Sequence, residues 1–285
     1  MSNTTVQAPL ELFFYDINAD GDELHLFALD DNGEFFTVHV THAPYYFFID
    51  APSHFTQSQC DTFCSYINNC IARTAPRKRK RTYQSQQIDS DYTEEEAPPE
   101  IVVASVTVVM AKTIWGYQPR PRPFLRLTLS NPRFRYAVKE LAERGIAWGP
   151  FANLHVATYE ASMKPTERYM QDKNIVGMGW MSIARYSDAP YAISTCNREI
   201  VVHADNISAL SSMRLPPYRI LSFDIECAGR KGIFPTPDID PVIQIGNHCV
   251  LRGAREQSLD ATVFVLNGCS NVVGANVRSF AHEDQ

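Results

Sequence analysis

Four short apolar runs, Leu10 to Tyr15, Leu24 to Leu29, Phe35 to Val40 and Tyr45 to Ile49, succeed one another within the first 50 residues. Polar residues that accept turn conformations separate them, Asp16 to Asp22 first and Asp30-Asp31-Asn32-Gly33 second. Runs of this length bounded by such clusters are a strand signature, and the spacing predicts a β meander. Asp16-Ile17-Asn18-Ala19-Asp20-Gly21-Asp22 also imitates the opening of a calcium-binding loop. Its twelfth position would be Phe27, where a bidentate Glu is required, so the segment reads as a hairpin turn. A helix is predicted from about Phe55 to Ile71, with Cys60, Phe63, Cys64, Ile67 and Ile71 on one buried face.

At 285 residues the chain is long enough for about two domains and a sizeable core. With 26 basic and 32 acidic side chains its net charge is −6, which argues against coating nucleic acid by bulk charge, so any such contact must be local. The longest apolar stretch, Ile101 to Ala111, is far short of the ~20 residues of a membrane span, and Met1 to Gln7 lacks the pattern of a secretory signal. An intracellular protein with no membrane partner is expected. Seven cysteines without C-x-x-C spacing read as free thiols. Arg77-Lys78-Arg79-Lys80-Arg81 is followed by six acids between Asp89 and Glu100, and such a charge block cannot bury enough apolar area to offset its ordering entropy. A mobile loop is expected over about 74–100. Strands are expected at Ile101 to Met110 and Phe124 to Leu129, then a helix opened by Asn131-Pro132, carrying Phe134, Val138 and Leu141 on one face and ended by Gly145.

Pro216-Pro217 breaks any regular element, and domains are predicted over 1–215 and 216–285. Beyond the prolines the pattern predicts strands at Tyr218 to Glu226, from Val242, and around Ala261 to Leu266. In a strand, residues i and i+2 share a face, so Asp224 and Glu226 project together while Phe223 and Ile225 are expected to anchor the opposite face. Paired carboxylate oxygens suit Mg²⁺ or Mn²⁺, and such ions can activate a water and stabilise a leaving oxygen in phosphodiester hydrolysis. The same spacing also fits two solvated strand residues.

The segment Tyr218 to Gly246, YRILSFDIECAGRKGIFPTPDIDPVIQIG, closely resembles the first exonuclease motif and following segment of the catalytic subunits of family B replicative DNA polymerases of the delta type. Tyr159-Glu160-Ala161, Arg168-Tyr169-Met170, Ile175-Val176-Gly177, Gly116-Tyr117, Pro123-Phe124-Leu125, Ala43-Pro44-Tyr45 and Val273-Gly274-Ala275 are similar to that family as well. The resemblance implies a mixed α+β chain. Its β-rich N-terminal domain would have OB-like character and lead into the first strands of an RNase H-like 3′→5′ proofreading exonuclease. It implies Asp224 and Glu226 as catalytic metal ligands, DNA as substrate, accessory polymerase subunits and a sliding clamp as partners, and a nuclear location. The family's two further acidic exonuclease motifs, its polymerase aspartates and its C-terminal cysteine motifs, which carry an iron–sulfur cluster, have no match here. The expectation is therefore a fragment with little or no activity alone; an independent small exonuclease is disfavoured.

Several other features carry two readings. Arg230 and Lys231, in Gly229-Arg230-Lys231-Gly232, either approach a phosphate or form a solvated turn. Asp238-Ile239-Asp240, bracketed by prolines, is a weak metal candidate. Arg77 to Arg81 reads as a nuclear import signal or a solvated charge run. Tyr45 to Phe48 is either core or a platform for unpaired bases, in which case the chain would be a non-catalytic nucleic-acid or protein-binding module. His155 and His203 lack partners at ligand spacing and are assigned structural roles.

Overall fold

The alternation of the first 50 residues becomes four strands, β1 (Leu10–Asp20), β2 (Glu23–Leu29), β3 (Phe35–Thr41) and β4 (Tyr45–Asp50), in a computed structural model. The model describes residues 9–21, 23–52, 54–74, 101–114, 116, 119–151, 155–253 and 256–283. The charged block with Arg77 to Arg81, and the loop expected over 74–100 apart from Thr74, lie outside the described residues. The fold is mixed α+β and strand-rich, as expected. Two of the sequence expectations are corrected here. The first turn is much shorter than Asp16 to Asp22, because β1 runs on to Asp20 and Gly21, at φ +63°, supplies the reversal. The meander holds only three strands, since β4 joins a different sheet after His42 at positive φ and Pro44.

The chain divides into two units, one made of Met1–Asp16, Leu26–His39 and Ile175–Gln285, the other of Ile17–His25 and Val40–Asn174. In the second unit, α1 (Cys60–Thr74), β5 (Val103–Ala111), β6 (Arg122–Leu129), α2 (Arg135–Arg144), β7 (Thr158–Tyr159) and α3 (Pro165–Lys173) follow β4. A sheet of order β5-β6-β4-β7 buries Tyr45, Phe47 and Ile49 opposite Leu129, Leu127 and Leu125. Against that face pack Cys60, Phe63, Ile67 and Ile71 of α1 and Val138 of α2, as the periodicity predicts. Asn131 accepts the Arg133 amide ahead of α2, and Gly145 at φ +121° ends it. Asn68 ties α1 to β5 by accepting the amides of Val102 and Val103 and donating to the Val103 carbonyl.

In the first unit the later strands are β8 (Gly179–Ile183), β9 (Ser187–Asp188), β10 (Arg198–His203), β11 (Ile207–Leu210), β12 (Tyr218–Cys227), β13 (Val242–Arg252), β14 (Gln257–Leu266) and β15 (Asn276–Phe280). One sheet has the order β11-β8-β1-β2-β3-β10-β9 and another β12-β13-β14-β15. The three strands expected at 218–266 form the antiparallel meander β12-β13-β14, and β15 adds parallel to β14. The start of β12 is held firmly: Tyr218 stacks on Phe13 at 6.3 Å, Phe13 meets Trp180 edge-on at 5.6 Å, and the Trp180 indole donates to the Arg214 carbonyl at 2.8 Å. Arg214 lies 4.1 Å over the Trp180 ring and pairs with Glu11 and Asp31. Gly33, at φ +82°, lets the β2–β3 turn approach Pro217; a Cβ there would stand 2.9 Å from the Pro217 carbonyl oxygen. All seven cysteines are free thiols, and His155 and His203 bond to the Glu143 carbonyl and the Asp205 amide in structural roles. Among the described residues no helix is long and apolar enough to cross a membrane.

Glu199 on β10 is a buried acid of this unit. Burial pushes its carboxyl up, but the Ser194 hydroxyl, His39 and the amides of Ile193 and Ser194 outweigh that and hold it down at about 2. A carboxyl depressed in the folded state contributes stability above its unfolded value of 4.5, lost as pH falls from there toward 2. The denaturation midpoint should therefore drop between about pH 5 and pH 2. Glu199→Gln should lower it at pH 7 and flatten that slope, both readable from urea melts followed by circular dichroism across pH.

Candidate metal centre

Strand β12 is an edge strand whose only strand neighbour among the described residues is β13. Its register places Asp224 opposite Gly246 and Glu226 opposite Gln244, so both carboxylates stand on one face, about 7 Å apart along the strand. The ladder shifts between Glu226 and Cys227, which ends regular pairing just past the second carboxylate. Asp224 accepts the following amide of Ile225 at 3.0 Å, and both acids are exposed. Gly246 is the residue sequence reasoning missed. A Cβ built on it meets nothing within 4 Å, so the space beside the Asp224 carboxylate stays open. Only the register reveals this, because nothing local to Gly246 points 22 residues back along the chain.

The expected anchoring of the opposite face is corrected. Phe223 is 64% exposed, Leu221 60% and Ile225 46%, because among the described residues no element packs on that side of β12. A sheet needs a covering layer to exclude water from its apolar face, and beyond Tyr218 the residues of β12 through Glu226 are exposed on both faces. The Asp224 and Glu226 arrangement thus rests on backbone pairing with β13 rather than on side-chain burial.

The loop from Ala228 to Pro241 is organised by a different acid. Asp240 is 4% exposed and accepts Arg230 Nε at 3.1 Å, Arg230 Nη2 at 3.0 Å and the Thr236 amide at 2.8 Å. These donors, Arg230 foremost, hold its carboxyl below the usual carboxylate range. Its oxygens are spent on this clamp, which makes Asp240 a structural acid, in keeping with its weak standing as a metal candidate, while Asp238 stands exposed at the turn. Arg230 is likewise engaged with Asp240 and Thr236, whereas Lys231 faces solvent. Of the aromatic run, Tyr45 and Phe47 are core, and Tyr46 and Phe48 lie on the outer face of their sheet.

Residues 156–285 match the family model described as DNA polymerase family B, exonuclease domain, and residues 42–135 match that described as DNA polymerase delta catalytic subunit-like, N-terminal domain. The chain belongs to the family B DNA polymerases. The curated protein named DNA polymerase delta catalytic subunit from Dictyostelium discoideum is 35% identical over 250 residues, covering 84% of this chain and 21% of the relative. That from Mesocricetus auratus is 32% identical over 269 residues, covering 92% of this chain and 23% of the relative. Within the family this chain corresponds to the N-terminal portion of the delta type, and it spans about a fifth of the length of those relatives. The family B DNA polymerase of Pyrobaculum calidifontis shares the fold, with a TM-score of 0.57 at 21% identity over 94% of this chain and 28% of that one.

The clamp predicts different outcomes for neighbouring cations. Arg230→Gln leaves the buried Asp240 carboxylate short of its charged donor and should lower the melting temperature by several degrees. Lys231→Gln should leave it unchanged, and differential scanning calorimetry of the two variants separates the roles.

Proposed function

We propose that this chain serves a replicative DNA polymerase of the delta type, and that Asp224 and Glu226 are the first carboxylates of its 3′→5′ proofreading exonuclease. One observation carries the reading: two same-face carboxylates on an edge strand, with glycine opposite the first. The donor set fits a hard divalent cation, since both groups offer oxygen, both reach solvent and Gly246 leaves room beside Asp224. A bound Mg²⁺ or Mn²⁺ would supply a water activated for attack on a phosphodiester and would stabilise the leaving oxygen. The chain's own contribution is to hold the two carboxylates on one face, where their mutual repulsion favours cation capture, and to keep the adjacent surface free of side chain. The Arg230–Asp240 clamp fixes the loop that follows, and Lys231 provides a solvent-facing cation there for a DNA phosphate.

The wider assignment rests on the relatives. DNA is the substrate, a mispaired 3′ nucleotide is what the site removes, and accessory subunits with a sliding clamp are the partners. The protein acts in the nucleus, with Arg77 to Arg81 as import signal, and 216–285 is an exonuclease segment following an N-terminal domain over 1–215. Two carboxylates are few for holding a pair of ions, so the chain by itself is expected to remove little or no nucleotide.

Mn²⁺ binding, followed by loss of the free-ion paramagnetic resonance signal, tests the site directly. The chain should bind Mn²⁺, and Asp224→Asn or Glu226→Gln should weaken that binding at least about tenfold. Chelation should leave the fold intact by circular dichroism. Mn²⁺ binding unchanged in both variants would remove the basis for the exonuclease assignment.

A further inference from the structure

The face of β12 that bears the two carboxylates continues onto β13, where the exonuclease reading gives its polar residues no part. Directly opposed residues of an antiparallel pair point to the same side of the sheet. Gln244, opposite Glu226, therefore shares the face of the two acids, as does Gly246, opposite Asp224. The Cβ atoms of such a pair stand about 4.5–5.5 Å apart, within reach of a carboxamide and a carboxylate. On its other side Gln244 pairs with Val265 of β14, which is 4% exposed. Gln244 is thus half-buried between an apolar neighbour and an exposed acid, and of its two cross-strand neighbours Glu226 is the one its amide can bond.

The backbone is irregular at this pair. Glu226 faces Gln244 but Cys227 faces Val242, so Ile243 is an extra residue that bulges β13 beside the second carboxylate. A bulge bends the strand that carries it and re-aims the adjoining side chain. Two bonds hold this one in place. The Val242 amide donates to Glu283 Oε1 at 2.9 Å, and the Ala228 amide donates to the Pro241 carbonyl at 2.9 Å just beyond the ladder. The Gln244 side chain therefore leaves a backbone position fixed on the side where the strands part.

A neutral amide is the residue type that can orient a metal ligand without replacing the metal. Like charges sharing a face repel, and the long Glu226 side chain has rotamers that carry it away from Asp224. A cation at position 244 would satisfy Glu226 as Arg230 satisfies Asp240, and would compete with a bound ion. An amide N–H donates to one carboxylate oxygen and leaves the other free. We propose that Gln244 is a positioning residue of the exonuclease centre, its side-chain NH₂ donating to one Glu226 oxygen so that the other is presented to the cation. The inference rests on the exonuclease reading of Asp224 and Glu226. The two same-face positions of β13 then have different tasks: Gly246 keeps side chain away from Asp224, and Gln244 supplies a donor to Glu226.

Gln244→Met keeps the length of the side chain and removes its donors. It should weaken Mn²⁺ binding by about tenfold, the usual effect of losing a hydrogen bond to a metal ligand, with an unchanged melt by circular dichroism. A double-mutant cycle separates positioning of Glu226 from a general effect on the strand. Gln244→Met should cost nothing further in the Glu226→Ala background and should still weaken binding in the Asp224→Asn background. Equal losses in both backgrounds would overturn the proposal. In ¹⁵N–¹H spectra of the whole chain without metal, the Gln244 side-chain amide, identified by its absence from Gln244→Met, should move in Glu226→Ala. It should stay in place in Asp224→Asn, and a resonance unmoved by Glu226→Ala would also overturn the proposal. Mn²⁺ binding that needs Glu226 but ignores Gln244→Met defeats this inference alone, whereas a wild-type chain that binds no Mn²⁺ defeats the exonuclease reading and the inference with it.

Discussion

The pairing of Leu10–Phe14 with Gly179–Ile183 is the contact on which the first unit depends. It joins segments about 170 residues apart, and closing so long a loop costs entropy that rises slowly with length, roughly 0.6 kcal/mol per doubling. Burial of Leu12, Phe13, Trp180, Met181 and Ile183 offsets it, at about 1.5–3 kcal/mol for each large apolar side chain. Once that ladder forms, Phe13 and Trp180 present the surface on which Tyr218 stacks, and the β2–β3 turn meets Pro217 through Gly33. The strand bearing Asp224 and Glu226 is therefore launched from a rigid base, although beyond Tyr218 its two faces are exposed.

Four acids of the first unit fall into two physical classes. Glu199 and Asp240 are buried, and each is surrounded by donors that hold its carboxyl low, the condition under which a buried charge is tolerated. Their oxygens are consumed by the fold. Asp224 and Glu226 are exposed, and the Asp224 carboxylate accepts the neighbouring Ile225 amide. Acids left with free oxygen capacity on one face are the ones that can take a cation, and that contrast separates Asp224 from Asp240 more clearly than spacing does.

Strand alternation does similar sorting in the second unit. The inner residues of β4 and β6 interdigitate with helices α1 and α2, while the outer residues build an arginine and aromatic surface fixed by Asp50, Glu160 and Asp172. A cation over a ring is stabilised by the ring's quadrupole and remains able to meet an anion on its other side.

Local sequence determined the elements whose signals lie within one turn or one strand. The early strands, the buried stripe Cys60, Phe63, Ile67 and Ile71, the Asn131-Pro132 opening and Gly145 stop of α2, and the shared face of Asp224 and Glu226 all follow from periodicity or capping within a few residues. Tertiary structure decided what depends on distant partners: that β4 leaves the meander, that β15 joins the later sheet, that Arg230 spends itself on Asp240, and that Gly246 faces Asp224. It also decided that Phe223 and Ile225 stand exposed, since an alternating pattern marks which residues share a face but not whether anything covers it. Periodicity is a property of one segment, whereas register, ion pairing and burial belong to pairs of segments, and only the folded chain brings those pairs together.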